Sequence, residues 1–300
     1  MTQQDASRPI VAILWMLLTG LCFVGVNIGA KYIGGDLPAA ESAFLRFVLG
    51  LVFIIPVWKT LVSTRLTRQQ WKLFTIRGIA HTAAVTLWFF AMAQIPMAEV
   101  TALNYMNPIY VTLGAALFLG EKLAFRRLAA IGVAMIGALI ILRPGLRELE
   151  AGHFAMLISA ACFAVSYLVV KRVSSEVPPA IVVAILSISL TIGLAPLAIA
   201  VWVPPTLGQI GILFVVAALA TLAHYSMTKA FAAAPLTVTQ PVVFLQLVWA
   251  VIFGVILFDE QVDIFVIGGG ALIIAAISFM TWREAVLRKK VTPVVGQTKV

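Results

Sequence analysis

Ten apolar runs, each long enough to cross a bilayer and parted by only a few residues, leave this chain one way to fold. They cover about 10–33, 39–59, 73–95, 98–119, 125–142, 153–172, 179–202, 208–233, 236–258 and 264–282. A helical span takes about 20 mostly apolar residues, so the runs consume most of the chain and leave no room for a soluble domain. In hydrocarbon every backbone N–H and C=O must bond internally, which selects helices. Composition agrees: 62% of residues are hydrophobic and 11% charged, against roughly 45–50% and 25% in a soluble domain. The expected fold is all-α and integral to the membrane, with ten transmembrane helices. The first run is too long for the core of a signal peptide, and it has an internal counterpart, so it counts as a span.

A net charge of +9 invites a nucleic-acid reading, and its distribution removes that reading. With the N-terminus inside, 17 of the 21 Lys and Arg fall on the inner side and three on the outer, with Arg46 inside the second span. That is the positive-inside pattern. It predicts both termini in the cytoplasm of a bacterial-type inner membrane, with the lipid bilayer and a small-molecule substrate as partners and no nucleic acid. Cys22 and Cys162 lie in apolar runs without metal-ligand spacing and read as packing residues. No cofactor and no metal is expected.

The chain repeats itself. At an offset of 140, Met16-Leu17, Cys22-Phe23, Lys31, Pro38, Ala40 and Pro56 recur as Met156-Leu157, Cys162-Phe163, Lys171, Pro178, Ala180 and Pro196. At 139, Pro96 and Glu121 match Pro235 and Glu260, and at 138 Gly132 matches Gly270. Each unit holds five spans, an odd number, so the second enters the membrane from the opposite side. Such inverted repeats are common in secondary transporters, which bind their substrates near the midplane at the repeat interface.

Two tandem five-helix units, the run Phe44-Leu45-Arg46-Phe47, the pair Asn107-Pro108 and the closing Gly120-Glu121 together resemble the EamA-type transporters of the drug/metabolite transporter superfamily, most of all the YddG-like amino-acid exporters. The resemblance implies units at about 10–143 and 152–283, ten helices around a central cavity, and export of amino acids or similar metabolites. The second unit departs from the first: Leu186 stands in register with Arg46 and Leu247 with Pro108. Any site is therefore asymmetric.

Polar groups inside apolar runs are the candidate site. Arg46 lies about 10 Å into its span; a central Arg is costly, so it faces a bundle interior, binds a carboxylate, or snorkels outward. His81 and His224 occupy related repeat elements and serve packing, substrate contact or proton relay. The fourth span clusters Thr101, Asn104, Tyr105, Asn107 and Tyr110 around Pro108, and the ninth carries Thr237, Thr239, Gln240 and Gln246 around Pro241. A proline inside a helix frees a carbonyl one turn back, which must find a partner or line a wet cavity. Trp88, Tyr167, Tyr225 and Trp249 could form aromatic walls. The expected substrate-binding set is Arg46, His81, Trp88, Thr101, Asn104, Tyr105, Asn107, Tyr167, His224, Tyr225, Gln240 and Gln246. His153 opens the sixth span and suggests no role. Gly25-x-x-x-Gly29 and Gly268-Gly269-Gly270 read as close helix packing or a dimer face, so a monomer or weak homodimer is expected.

All twelve acidic residues fall in tails, loops or near span ends. A pump for lipophilic cations would want a central carboxylate as counter-charge and proton carrier. One buried Arg among amides, hydroxyls and aromatics suits a neutral or aromatic amino acid, moved by alternating access. Nucleotide-like or sugar-like metabolites, or drugs, are the alternative cargo. Asp259-Glu260-x-x-Asp263 resembles the acidic pattern of magnesium-diphosphate enzymes. Glu260 matches Glu121 across the repeat, however, so it reads as a span-terminal element and no enzyme activity is expected. A channel is the remaining reading, and two rocking halves favour a carrier over it.

Overall fold

The computed structural model describes residues 9–119, 125–146, 148–173, 176–233, 242 and 245–291. These form helices α1 (Pro9–Ile33), α2 (Ala39–Gly50), α3 (Trp58–Ser63), α4 (Arg68–Gln94), α5 (Met97–Asn104) and α6 (Asn107–Leu119). There follow α7 (Phe125–Leu142), α8 (Ala151–Val173), α9 (Pro179–Ala200), α10 (Leu207–Ala233), α11 (Leu245–Phe258) and α12 (Ile264–Val291). Seven helical segments among the described residues are long and apolar enough to cross a membrane, and 128–142 and 245–258 are shorter apolar helices.

The helix ends follow from local chemistry. Pro38 and Pro178 sit in extended conformation just before α2 and α9, which they start, since proline has no N–H to lose in a first turn. α4 and α10 are each 27 residues long and each begins on a reciprocal side-chain cap. Thr67 and Gln70 exchange bonds with each other's backbone N–H, and Thr206 and Gln209 do the same. The turn that leaves α1, with Asp36 and Leu37 N–H donating to the Ile33 carbonyl, recurs where Glu176 and Val177 donate to Val173.

Three expected helices differ in detail. The second span is not one helix: Leu51–Val57 tightens to a 3-10 helix containing Pro56, between α2 and α3, because proline cannot donate the bond that would continue the α-helix. The fourth is split at Tyr105-Met106 into α5 and α6, one turn before Pro108. The third begins at Arg68 rather than near 73, because the Thr67–Gln70 cap starts it there.

The helices pair α4 with α8, α1 with α10, α7 with α12 and α2 with α9. Small residues allow the closest of these approaches. A Cβ at Gly137 would lie 2.7 Å from the Gly269 carbonyl oxygen, and one at Gly269 would lie 2.5 Å from that of Gly137, so α7 and α12 meet backbone to backbone. Gly25 and Gly29 likewise admit Leu219 and Val216 of α10. The glycine motifs are used within the chain, as packing.

One end of the bundle, where α1 finishes and α2 begins, is tied by charge. Lys31 Nζ lies 2.7 Å from Glu260 Oε1 and donates to the Ile95 carbonyl at 2.9 Å. Glu260 also accepts the Met97 N–H at 3.0 Å. Arg143 pairs with Asp263. Glu41, fully buried, accepts the Val203 N–H at 2.9 Å. His153 corrects an expectation: far from being idle at a surface, it is 2% exposed and its Nε2 stands 2.6 Å from Glu99 Oε2. α8 begins at Ala151, so His153 lies in its first turn against α5.

Candidate functional site

Polar side chains converge from α2, α4, α8 and α10. Arg77, His81 and Trp88 share one face of α4 to within about 40°, by helical periodicity. The His81 imidazole meets Ser166 Oγ of α8 at 2.9 Å and the ring of Phe163 edge-on at 4.9 Å. Arg77 Nε donates to the same Ser166 Oγ at 3.3 Å, and its Nη1 donates to the Val182 carbonyl of α9 at 2.9 Å. His81 lies within electrostatic range of Arg77, His224 and Arg46, and His224 within range of both arginines. Arg46 rests its guanidinium 4.3 Å from the centre of the Phe47 ring, and its buried Nε has no hydrogen-bond partner. Tyr167 stacks on Phe163 and is within range of Arg77. It keeps 43% of its surface open.

α1 joins this group to a second. Gly20, Phe23 and Asn27 lie along one face of α1. Phe23 meets His224 edge-on at 5.4 Å, Asn27 Nδ2 reaches Thr101 Oγ1 at 3.5 Å, and Gln246 Cγ would lie 3.8 Å from a Cβ at Gly20. Thr101 also donates to the Met97 carbonyl at 2.8 Å. Asn104 holds a buried Oδ1 with no partner, so this amide has an acceptor to offer to whatever enters.

The expected residues thus divide. Arg46, His81, Tyr167 and His224 are brought together, and Trp88 lies on the same face of α4, packed against Val26 and Val216. Thr101 and Gln246 adjoin α1, and Asn104 lies further along α5 with its buried, unpartnered Oδ1. Tyr105 and Asn107 are buried at 7% and 9% exposure, and the Tyr105 phenol meets the Leu247 backbone, which suits a structural role at the break in the fourth span. Tyr225 turns about 100° from His224; it meets Trp15 edge-on at 6.3 Å and has Lys229 over its ring at 5.4 Å. Gln240 lies outside the described residues, as do Thr237, Thr239 and Pro241.

Three site residues are not marked by the sequence. Arg77 is one of the 17 Lys and Arg that the charge count puts on the inner side. The early start of α4 puts it about 14 Å inside the helix, where it is 6% exposed. Ser166 gave no signal in an apolar run, yet it is fully buried and shared by Arg77 and His81. Asn27, a lone amide mid-run, is the third and stands outside the expected set.

Long apolar helices around a seam of polar side chains define a multi-pass membrane protein. The chain belongs to the EamA-like transporter family, which matches residues 10–143 and again residues 150–282. It is 31% identical over 283 residues to a riboflavin transporter of Vibrio cholerae, covering 92% of this chain and 95% of that one. It is 25% identical to an S-adenosylmethionine uptake transporter of Rickettsia bellii, over 91% and 94% of the two chains. To a pseudopaline exporter of Pseudomonas aeruginosa it is 27% identical, over 88% and 93%. A solved crystal structure shares the fold, with a TM-score of 0.59 at 18% identity over 91% of this chain and 98% of that one. The protein is a small-molecule transporter and not an enzyme.

Proposed function

We propose that the chain carries a small organic metabolite with a flat ring across a bacterial-type inner membrane, by alternating access between inverted five-helix units at residues 10–143 and 152–283. The observation that carries this reading is the seam of Arg46, Arg77, His81 and His224 inside membrane-length helices. The recurring proline starts and Thr–Gln caps support the two units. So does the pairing of α1 with α10 and of α4 with α8, which exchange under a two-fold that inverts the repeat. The charge distribution supports cytoplasmic termini, so the charged end faces outward and these ion pairs close it.

The relatives' names give an amino-acid substrate no support. Carriers named for riboflavin and S-adenosylmethionine favour the nucleotide-like alternative, and the rings of His81, Phe163 and Tyr167 suit a planar solute. Neutral and aromatic amino acids belong in the test panel beside it. No carboxylate lies mid-span among the described residues to carry a proton, which favours facilitated or exchange-type movement and leaves His81 and His224 as the groups that a proton-coupled carrier would use. In reconstituted vesicles, Arg46→Ala and Asn104→Ala are each expected to slow solute counterflow about tenfold or more, the effect of losing one strong hydrogen bond. Folded yield should be unchanged. Wild-type rates in both variants would remove this site.

A further inference from the structure

We infer that the group which docks in this seam is an organic anion, a carboxylate or a phosphate; the inference rests on the seam being the transport site. The other cations of the bundle set the comparison. At the end where α1 finishes, Lys31 and Arg143 each have a carboxylate, on Glu260 and Asp263. The two seam arginines have none among the described residues. Arg77 is held by a serine hydroxyl and a backbone carbonyl, both neutral. Arg46 lies on an aromatic face with its Nε unpartnered. Glu41, on the same helix as Arg46, has one oxygen taken by the Val203 N–H, about 7.5 Å further along α2.

Two unpaired guanidinium charges within membrane helices are costly, and such charges are normally paired or face water. A solute that brings a negative charge lowers that cost and gains charge-assisted bonds, bidentate where the guanidinium fork is free. A solute with an ammonium group would set a third positive charge beside Arg46 and Arg77. The preference for a neutral solute, drawn when Arg46 was the one central cation in view, gives way once Arg77 is found inside the same seam. Ser166 and Val182 fix the Arg77 guanidinium in direction, and Arg46 keeps its Nε unspent, so both arginines hold charge that an acidic group can meet.

The test uses two pairs: indole-3-acetate against the nearly isosteric, neutral indole-3-acetamide, and flavin mononucleotide against riboflavin, which lacks the phosphate. Each is measured by equilibrium dialysis on the purified full chain. The anion of each pair is expected to bind about tenfold or more tightly. Arg46→Gln and Arg77→Gln should each weaken the anions far more than the neutral members and so lose most of that gap, while Arg77→Lys should retain it. Equal or tighter binding of the neutral members, no binding of any probe, or an unaltered gap in both Gln variants would overturn the inference. Vesicle counterflow separates this from the transport reading. A charge preference without flux keeps the anion site and removes the carrier; flux without charge preference does the opposite.

Discussion

Replacing His153 by Ala is expected to cost about 3 kcal/mol of stability, the penalty for taking a hydrogen-bond partner from a buried carboxylate. The pair is short, 2.6 Å, and its side chains are 2% and 5% exposed. His153 Nδ1 is fixed in turn by the Glu150 N–H at 3.1 Å, so the imidazole is oriented before Glu99 arrives. His153→Ala leaves the Glu99 carboxylate buried without its imidazole. His153→Ala combined with Glu99→Gln should recover a large part of the loss, because a neutral amide is far cheaper to bury than a carboxylate. The measurement is the thermal unfolding midpoint in detergent for both single variants and the double. A midpoint for His153→Ala equal to wild type would show that the pair does not hold this end.

The second large effect is steric. Gly269→Ala is expected to destabilise the chain by more than the 1–3 kcal/mol typical of overpacking. The new Cβ would meet the Gly137 carbonyl oxygen at 2.5 Å and Ile141 Cγ1 at 2.7 Å. A side chain can rotate aside, but the carbonyl belongs to the α7 backbone, so the two helices must part. Gly268→Ala is the internal control, since a Cβ there meets nothing within 4 Å. Loss of folded yield for Gly269→Ala with Gly268→Ala normal is the expected pattern. Equal behaviour of the two would mean that α7 and α12 do not cross at Gly137 and Gly269.

The helical scaffold was legible because hydrocarbon permits few alternatives: long apolar runs bounded by Pro38, Pro96 and Pro178 became helices beginning at those prolines. Arg46, His81 and His224 were legible as site residues for the same reason, being costly where they stand. Pairings across distant helices were not. Nothing near His153 in the chain indicates that its partner lies 54 residues back. Arg77 was misread because a five-residue difference in where α4 starts decides whether its charge reaches water or is buried. Ser166 is chemically ordinary; only its place between Arg77 and His81 gives it a role. Tyr225 shows the converse, since adjacency to His224 in sequence puts it on a different helix face.

The most direct test of the carrier reading is counterflow in vesicles holding the purified protein, with labelled riboflavin, flavin mononucleotide, a nucleoside and neutral amino acids. Unlabelled solute inside should accelerate labelled uptake, and the rate should saturate. Insensitivity of the rate to a pH gradient would mark facilitated movement, since no carboxylate lies mid-span among the described residues, whereas acceleration by the gradient would make His81 and His224 the proton relay. Flux that rises linearly with concentration and gains nothing from solute on the far side would contradict alternating access and make the seam the wall of a pore.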